Sequence, residues 1–110
     1  MRRLFLSFML AVAWLGLAAP SRAADELAIT IKDHKFTPSE LKVPANQRLT
    51  LVVTNDDPTP EEFESLPMKI EKVIASKSKA VIRFGPLQPG RYEFIGEFNK
   101  ATAKGVMIAE

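Results

Sequence analysis

From Leu27 onward, apolar residues alternate with polar or small ones in short runs that end at proline, glycine, asparagine or aspartate. No segment places apolar residues at helical spacing for three turns. A period of two puts successive side chains on opposite faces, which is the mark of a strand with one buried face. Leu27–Ile31 reads as the first strand, and Leu41 and Val43 carry a second. Leu49–Thr54 forms a third, and Ile70, Val73 and Ile74 suggest another. Val81–Phe84 follows a turn over Ser76–Lys79. Tyr92 and Phe94, then Val106 and Ile108, mark the last two strands on either side of a polar loop from Glu97 to Lys104. Strands recurring every eight to twelve residues with turn signals between them define an all-β sandwich or barrel. Asp33–Pro38 reads as a connection, because Pro38 bars a central strand. Within the acidic run Glu61–Pro67, Phe63 and Leu66 are the expected core anchors.

The first 23 residues have a different character. Arg2 and Arg3 precede the apolar run Leu4–Ala19, and Ser21-Arg22-Ala23 places small residues before a cleavage point. This is the layout of a secretory signal peptide, and the run is short for a membrane span. The chain is therefore divided into a signal peptide, 1–23, and a single domain, 24–110, delivered to the periplasm without a stable membrane anchor. With no cysteine, lipidation is excluded.

Removing the leader also removes three arginines, which leaves 12 basic against 13 acidic residues. The basic pI thus belongs mostly to the precursor and does not indicate nucleic-acid binding. The missing cysteine excludes disulfides, a thiolate metal ligand and a cysteine nucleophile. Catalytic patterns are thin. The single histidine, His34, has no serine in a strained elbow to activate, and there is no glycine-rich phosphate loop.

Two readings of the polar residues remain. The acidic run and His34 can be solvated loop residues. Alternatively, His34, the carboxylates after the third strand and Glu97 with Asn99 can meet as a nitrogen and oxygen ligand set for iron, zinc, copper(II) or manganese. Strand counting makes the second reading conditional. If Glu62–Leu66 runs as a strand, His34, the Asn55–Glu61 loop and Glu97 fall at one end; if it is a loop, Glu97 lies at the other. Met68 and Met107 are expected to fill the core rather than bind metal.

Lys32-Asp33-His34-Lys35-Phe36-Thr37-Pro38, Pro60-Glu61-Glu62-Phe63-Glu64-Ser65, Gly85-Pro86-Leu87, Gly96-Glu97-Phe98 and Thr102-Ala103-Lys104-Gly105 together resemble the small periplasmic cupredoxin-like proteins with an EfeO-type domain. The resemblance covers essentially all of residues 26–110. It implies a Greek-key β-sandwich in which Glu62–Leu66 is a strand. It implies an iron or copper ion as cofactor, and partnership with an iron permease and a periplasmic iron-binding protein. Metal binding, metal-free docking to a transport partner and ferrous-iron oxidation are the functional alternatives. His34, Glu62, Glu64 and Glu97 are the expected ligands, with Glu61, Glu71 and Asn99 behind them. Two departures stand out. Gly96 occupies the position of the blue-copper cysteine, and Asn99 stands where this subfamily continues with histidine.

Export sets a simple expectation. Protein recovered from the cell envelope should begin at or near Ala24 by N-terminal sequencing. An intact Met1 terminus on membrane-held protein would reverse the assignment.

Overall fold

A computed structural model describes residues 26–110. The leader assigned from sequence lies outside the described residues, apart from which the strand pattern can be followed throughout. Nine strands are present: β1 (Leu27–Lys32), β2 (Lys35–Thr37), β3 (Glu40–Val43), β4 (Leu49–Asn55), β5 (Glu61–Ser65), β6 (Ile70–Ile74), β7 (Ser78–Phe84), β8 (Gly90–Gly96) and β9 (Lys104–Ala109). They form a four-stranded sheet ordered β2-β1-β4-β7 and a five-stranded sheet ordered β3-β9-β8-β5-β6. β1 runs parallel to β4 and β3 parallel to β9, while the other pairs are antiparallel. This is the expected all-β, cupredoxin-like sandwich.

Alternation explains the core. Ile29 and Ile31 of β1, and Leu51 and Val53 of β4, are at most 1% exposed on the inner face of one sheet. Phe63, Phe94 and Met107 face them from β5, β8 and β9 at similar burial. Phe36, on β2, reaches across to meet the two other rings. Its centroid lies 5.7 Å from that of Phe63 and 5.1 Å from that of Phe94, both edge-on, while Phe63 and Phe94 stack at 4.9 Å. Such pairs contribute about 0.5–1.5 kcal/mol each beyond their burial.

Several local expectations change. The Asp33–Pro38 connection contains a strand, β2, because it is a three-residue edge hairpin that pairs only with β1 and leaves Pro38 outside the ladder. Leu66 is not a core anchor. It is 81% exposed in the turn after β5, and Met68 takes the buried place instead. On the last strand Met107, expected in the core, is buried together with Ala109. The loop after β8 is partly ordered as a 3-10 turn, η1 (Glu97–Asn99), and Lys104 already belongs to β9.

Gly105 is demanded by the aromatic cluster. A Cβ at this position would lie 2.3 Å from Cζ of Phe94 and 2.8 Å from the carbonyl oxygen of Ser39. Neither the ring nor the backbone can yield cheaply. Gly105→Ala should therefore destabilise the fold by about 1–3 kcal/mol, the usual cost of overpacking. Urea unfolding should show this as a lower midpoint with an unchanged slope.

Candidate functional site

β5 is the strand on which the site depends. With Phe63 turned inward, alternation also turns Glu61 and Ser65 inward and Glu62 and Glu64 outward. Glu61 is thus a carboxylate 1% exposed, placed at one end of the sandwich. A buried charge of this kind persists only where it is richly hydrogen-bonded. Its Oε1 accepts from the backbone N–H of Glu62 at 3.0 Å and of Phe98 at 2.9 Å. Its Oε2 accepts from Asn99 Nδ2 at 2.6 Å. Gly96, the last residue of β8, makes room for it. A Cβ there would fall 2.8 Å from Glu61 Oε2 and 2.6 Å from Cβ of Ala103. The place a cysteine side chain would need is therefore filled by the Glu61 carboxylate, which Asn99 closes from the loop side.

His34 lies at this end by a separate chain of contacts. Asn55, fully buried at the end of β4, donates through Nδ2 to the carbonyls of Thr59 and Ile74 at 2.9 and 3.1 Å. Its Oδ1 accepts from Asp57 N at 3.0 Å. Asp57 then accepts from the backbone N–H of Asp33 at 2.7 Å and of His34 at 3.0 Å. These bonds hold Asp33 and His34 at φ of 53° and 57° between β1 and β2. The ring Nε2 of His34 is 3.4 Å from Thr59 Oγ1. Because β5 is a strand, His34, the 55–61 loop and the start of η1 fall at one end.

The outward carboxylates form a different arrangement. Glu64 is cross-strand from Glu71, and Glu62 is one pair away on the same face. Glu62 titrates above the ordinary carboxylate value of 4.5, from desolvation first, then a hydrogen bond shared with Glu71 and repulsion from Glu71, Glu97 and Glu61. Glu64 is also raised, first by a hydrogen bond shared with Glu97, then by desolvation and the charges of Glu97, Glu62 and Glu71. Glu97 is lowered as the ionised partner of Glu64, helped by Lys100 Nζ at 3.0 Å. The protonated forms of Glu62 and Glu64 favour the fold at low pH, and that contribution is lost as pH rises through their raised values.

Of the ligands expected from sequence, Glu62, Glu64 and Glu97 are brought into mutual range, with Glu71 beside them. His34 is not among the groups acting on any of the three. Its charge acts on Asp57 instead. Among the described residues, no three His, Asp or Glu side chains converge on a point that could hold a metal ion; the outward carboxylates meet in pairs. Asn99 lies against Glu61 rather than beside His34. A blue-copper centre does not fit these residues, since the slot beside Gly96 holds a carboxylate and the chain has no thiol. Sequence reasoning gave Glu61 too small a part. The signal was available, because counting by two from the apolar Phe63 turns Glu61 inward.

Comparison with known proteins agrees with this architecture. The sequence profile of the cupredoxin-like domain matches residues 5–109, and the chain belongs to that family. An uncharacterized protein of Rickettsia prowazekii (strain Madrid E) is 43% identical over 83 residues, covering 76% of this chain and 66% of the relative. The chain thus spans just under two thirds of that relative's length. Among solved structures, the metal binding domain of the Streptococcus pneumoniae D39 Cu(I)-exporting P-type ATPase CopA, determined with Cu(I), superposes with a TM-score of 0.65 at 21% identity. That match covers 77% of this chain and 84% of the other. Amicyanin from Paracoccus versutus gives 0.61 at 18% identity, covering 79% and 83%. A purple cupredoxin from Nitrosopumilus maritimus gives 0.59 at 18%, covering 76% and 99%. At these identities the likeness is one of fold.

The two buried acids make separable predictions. Glu61→Ala leaves the Glu62 and Phe98 N–H groups without an acceptor, at about 1–3 kcal/mol for each donor left buried. Hydrogen exchange across residues 97–103 should accelerate markedly. Glu61→Gln should be much milder, because its carbonyl keeps both N–H groups and Asn99 can turn its amide over. Asp57 is pushed up by burial but pulled further down by the His34 and Asp33 N–H bonds and the charges of His34 and Lys77, to below 3.8. A depressed carboxylate stabilises the fold above its unfolded pKa, and this is lost as pH falls through the folded value. In acid unfolding below about pH 4, Asp57→Asn should therefore flatten the decline.

Proposed function

We propose that the protein is a periplasmic, cupredoxin-fold accessory of metal transport that handles an iron ion through carboxylate oxygens rather than copper through a thiolate. The observation that carries this reading is the set Glu62, Glu64, Glu71 and Glu97, whose like charges lie close enough to share protons. A cation relieves that repulsion, and pairs joined by a proton can exchange the proton for a metal. Oxygen donors without a thiolate or thioether do not suit copper(I) and leave a divalent ion such as ferrous iron. The EfeO-type resemblance points the same way, toward an iron permease and a periplasmic iron-binding protein as partners. His34 has no part in this site; it shapes the β1–β2 turn.

A second reading is a metal-free docking module for a transport partner. The Glu61 carboxylate favours it, because it fills the interior slot beside Gly96 and already accepts from Glu62 N, Phe98 N and Asn99 Nδ2.

Anaerobic titration with ferrous iron at pH 7 distinguishes the two. Under the metal reading, iron binds and raises the melting temperature. Glu64→Gln with Glu97→Gln lowers affinity at least tenfold, and His34→Ala leaves it unchanged. The gain fades as pH falls through the raised values of Glu62 and Glu64, above the ordinary 4.5, as protons reclaim the carboxylates. Absence of iron uptake by folded protein would favour the docking module. Equal loss in His34→Ala would move the metal to the β1–β2 turn.

A further inference from the structure

The groove between β6 and β7 opens beside the carboxylate site and shares Glu71 with it. β6 ends the five-stranded sheet and β7 ends the four-stranded one, so each has a single strand neighbour. Only Ala75, Ser76 and Lys77 separate them in sequence. This short crossover forces the two open edges to the same side of the sandwich. The edges then part, leaving a groove of about 490 Å3 between them.

The groove has an apolar floor. Met68, Ile70, Ile82 and Phe84 line it and retain 5–8% exposure, whereas core residues such as Ile31, Leu51 and Phe63 retain none. Its rim is cationic, with Lys69, Lys72 and Arg83. Glu71, the one acid on the rim, shares its carboxyl hydrogen bond with Glu62 on the outer face. Neither ion pair among the described residues uses Lys69, Lys72 or Arg83. Lys72 is cross-strand from the inward Phe63, so by the pleat it belongs to the inner face, yet it is exposed because nothing covers this edge.

The backbone of β6 completes the surface. Gly96 N donates to the Ala103 carbonyl and so faces β9, which turns the peptide groups of Ile95 toward its β5 partner Glu64. In an antiparallel strand, peptide groups of alternate residues face the same neighbour, so Phe63 and its partner Lys72 face each other. Glu71 and Val73 therefore direct N–H and C=O away from β5 to the open edge, a template for one more strand.

We propose that this groove binds an extended acidic peptide segment of a partner protein by strand addition to β6. Main-chain bonds to Glu71 and Val73 supply affinity, alternate apolar side chains enter over Met68, Ile82 and Phe84, and intervening carboxylates meet Lys69, Lys72 and Arg83. A peptide of this kind differs from a metal ion in what it needs, so the two sites fail or succeed separately.

The test is NMR-detected titration and hydrogen exchange with a blocked synthetic heptapeptide alternating glutamate and valine. The Glu71 and Val73 amides should gain at least tenfold protection, and binding should weaken as salt rises. A lysine–valine peptide should not bind. Val73→Pro, which removes an edge N–H, should abolish binding. The charge-reversed variant Lys69→Glu, Lys72→Glu, Arg83→Glu guards against a folding artefact. It should lose the glutamate peptide and gain the lysine one. Unchanged protection at Glu71 and Val73, or binding indifferent to charge reversal, would overturn the proposal. So would a homodimer, seen by sedimentation, that Val73→Pro dissolves, since the groove would then serve a second copy.

Discussion

A carboxylate inside a β-sandwich is costly to hold, and the Glu61 carboxylate organises the end of the molecule in which it lies. Leaving water, an isolated carboxylate must recover its lost solvation from donors fixed in the protein. Two of those donors are backbone N–H groups, Glu62 and Phe98, and the third is the Asn99 amide. The requirement propagates outward. η1 must form so that Phe98 N and Asn99 Nδ2 point at the acid. Gly96 must lack a side chain, and Ala103, buried against the same spot, must be small. Holding η1 in place sets Glu97 beside Glu64, which creates the outer carboxylate pair.

The other half of this end is built on neutral and charged caps in series. Asn55 ties the end of β4 to Thr59 and Ile74, and so to both sheets. Asp57, positioned by Asn55, caps the turn that carries His34. Among the described residues no buried side-chain nitrogen or oxygen lacks a partner. A sandwich without disulfides has only its core and such bonds to define its loops. The polar residues here serve that purpose before any ligand is considered. Chemistry is displaced to surfaces the core does not need: the outer carboxylates and the open β6–β7 edge.

Much of the fold was legible because strand alternation is local. Leu49–Thr54, Leu27–Ile31 and Tyr92–Phe94 carry their pattern without reference to neighbours. The errors have a common cause in phase and context. Leu66 is apolar but sits in a turn, where burial depends on what the turn packs against, and nothing does. A strand apolar on both faces, such as Val106–Ala109, does not reveal its inward phase by pattern alone, and the structure places Met107 and Ala109 inside. Counting from Phe63 turns Glu61 inward and Glu62 and Glu64 outward, a distinction that residue type alone does not carry.

By itself the sequence determined the absence of any thiolate chemistry, the all-β class and the family to which the chain belongs. Composition and short-range periodicity suffice for the first two; the family rests on the resemblance of its motifs and on the profile match. Only the tertiary structure decided that Glu61 answers to Phe98 and Asn99, across more than thirty-five positions of chain. It alone separated His34 from the outer carboxylates. It alone brought the edges of two different sheets together. Hydrogen-bond satisfaction and strand neighbours are properties of residues distant in sequence, and no local pattern encodes which of them will meet.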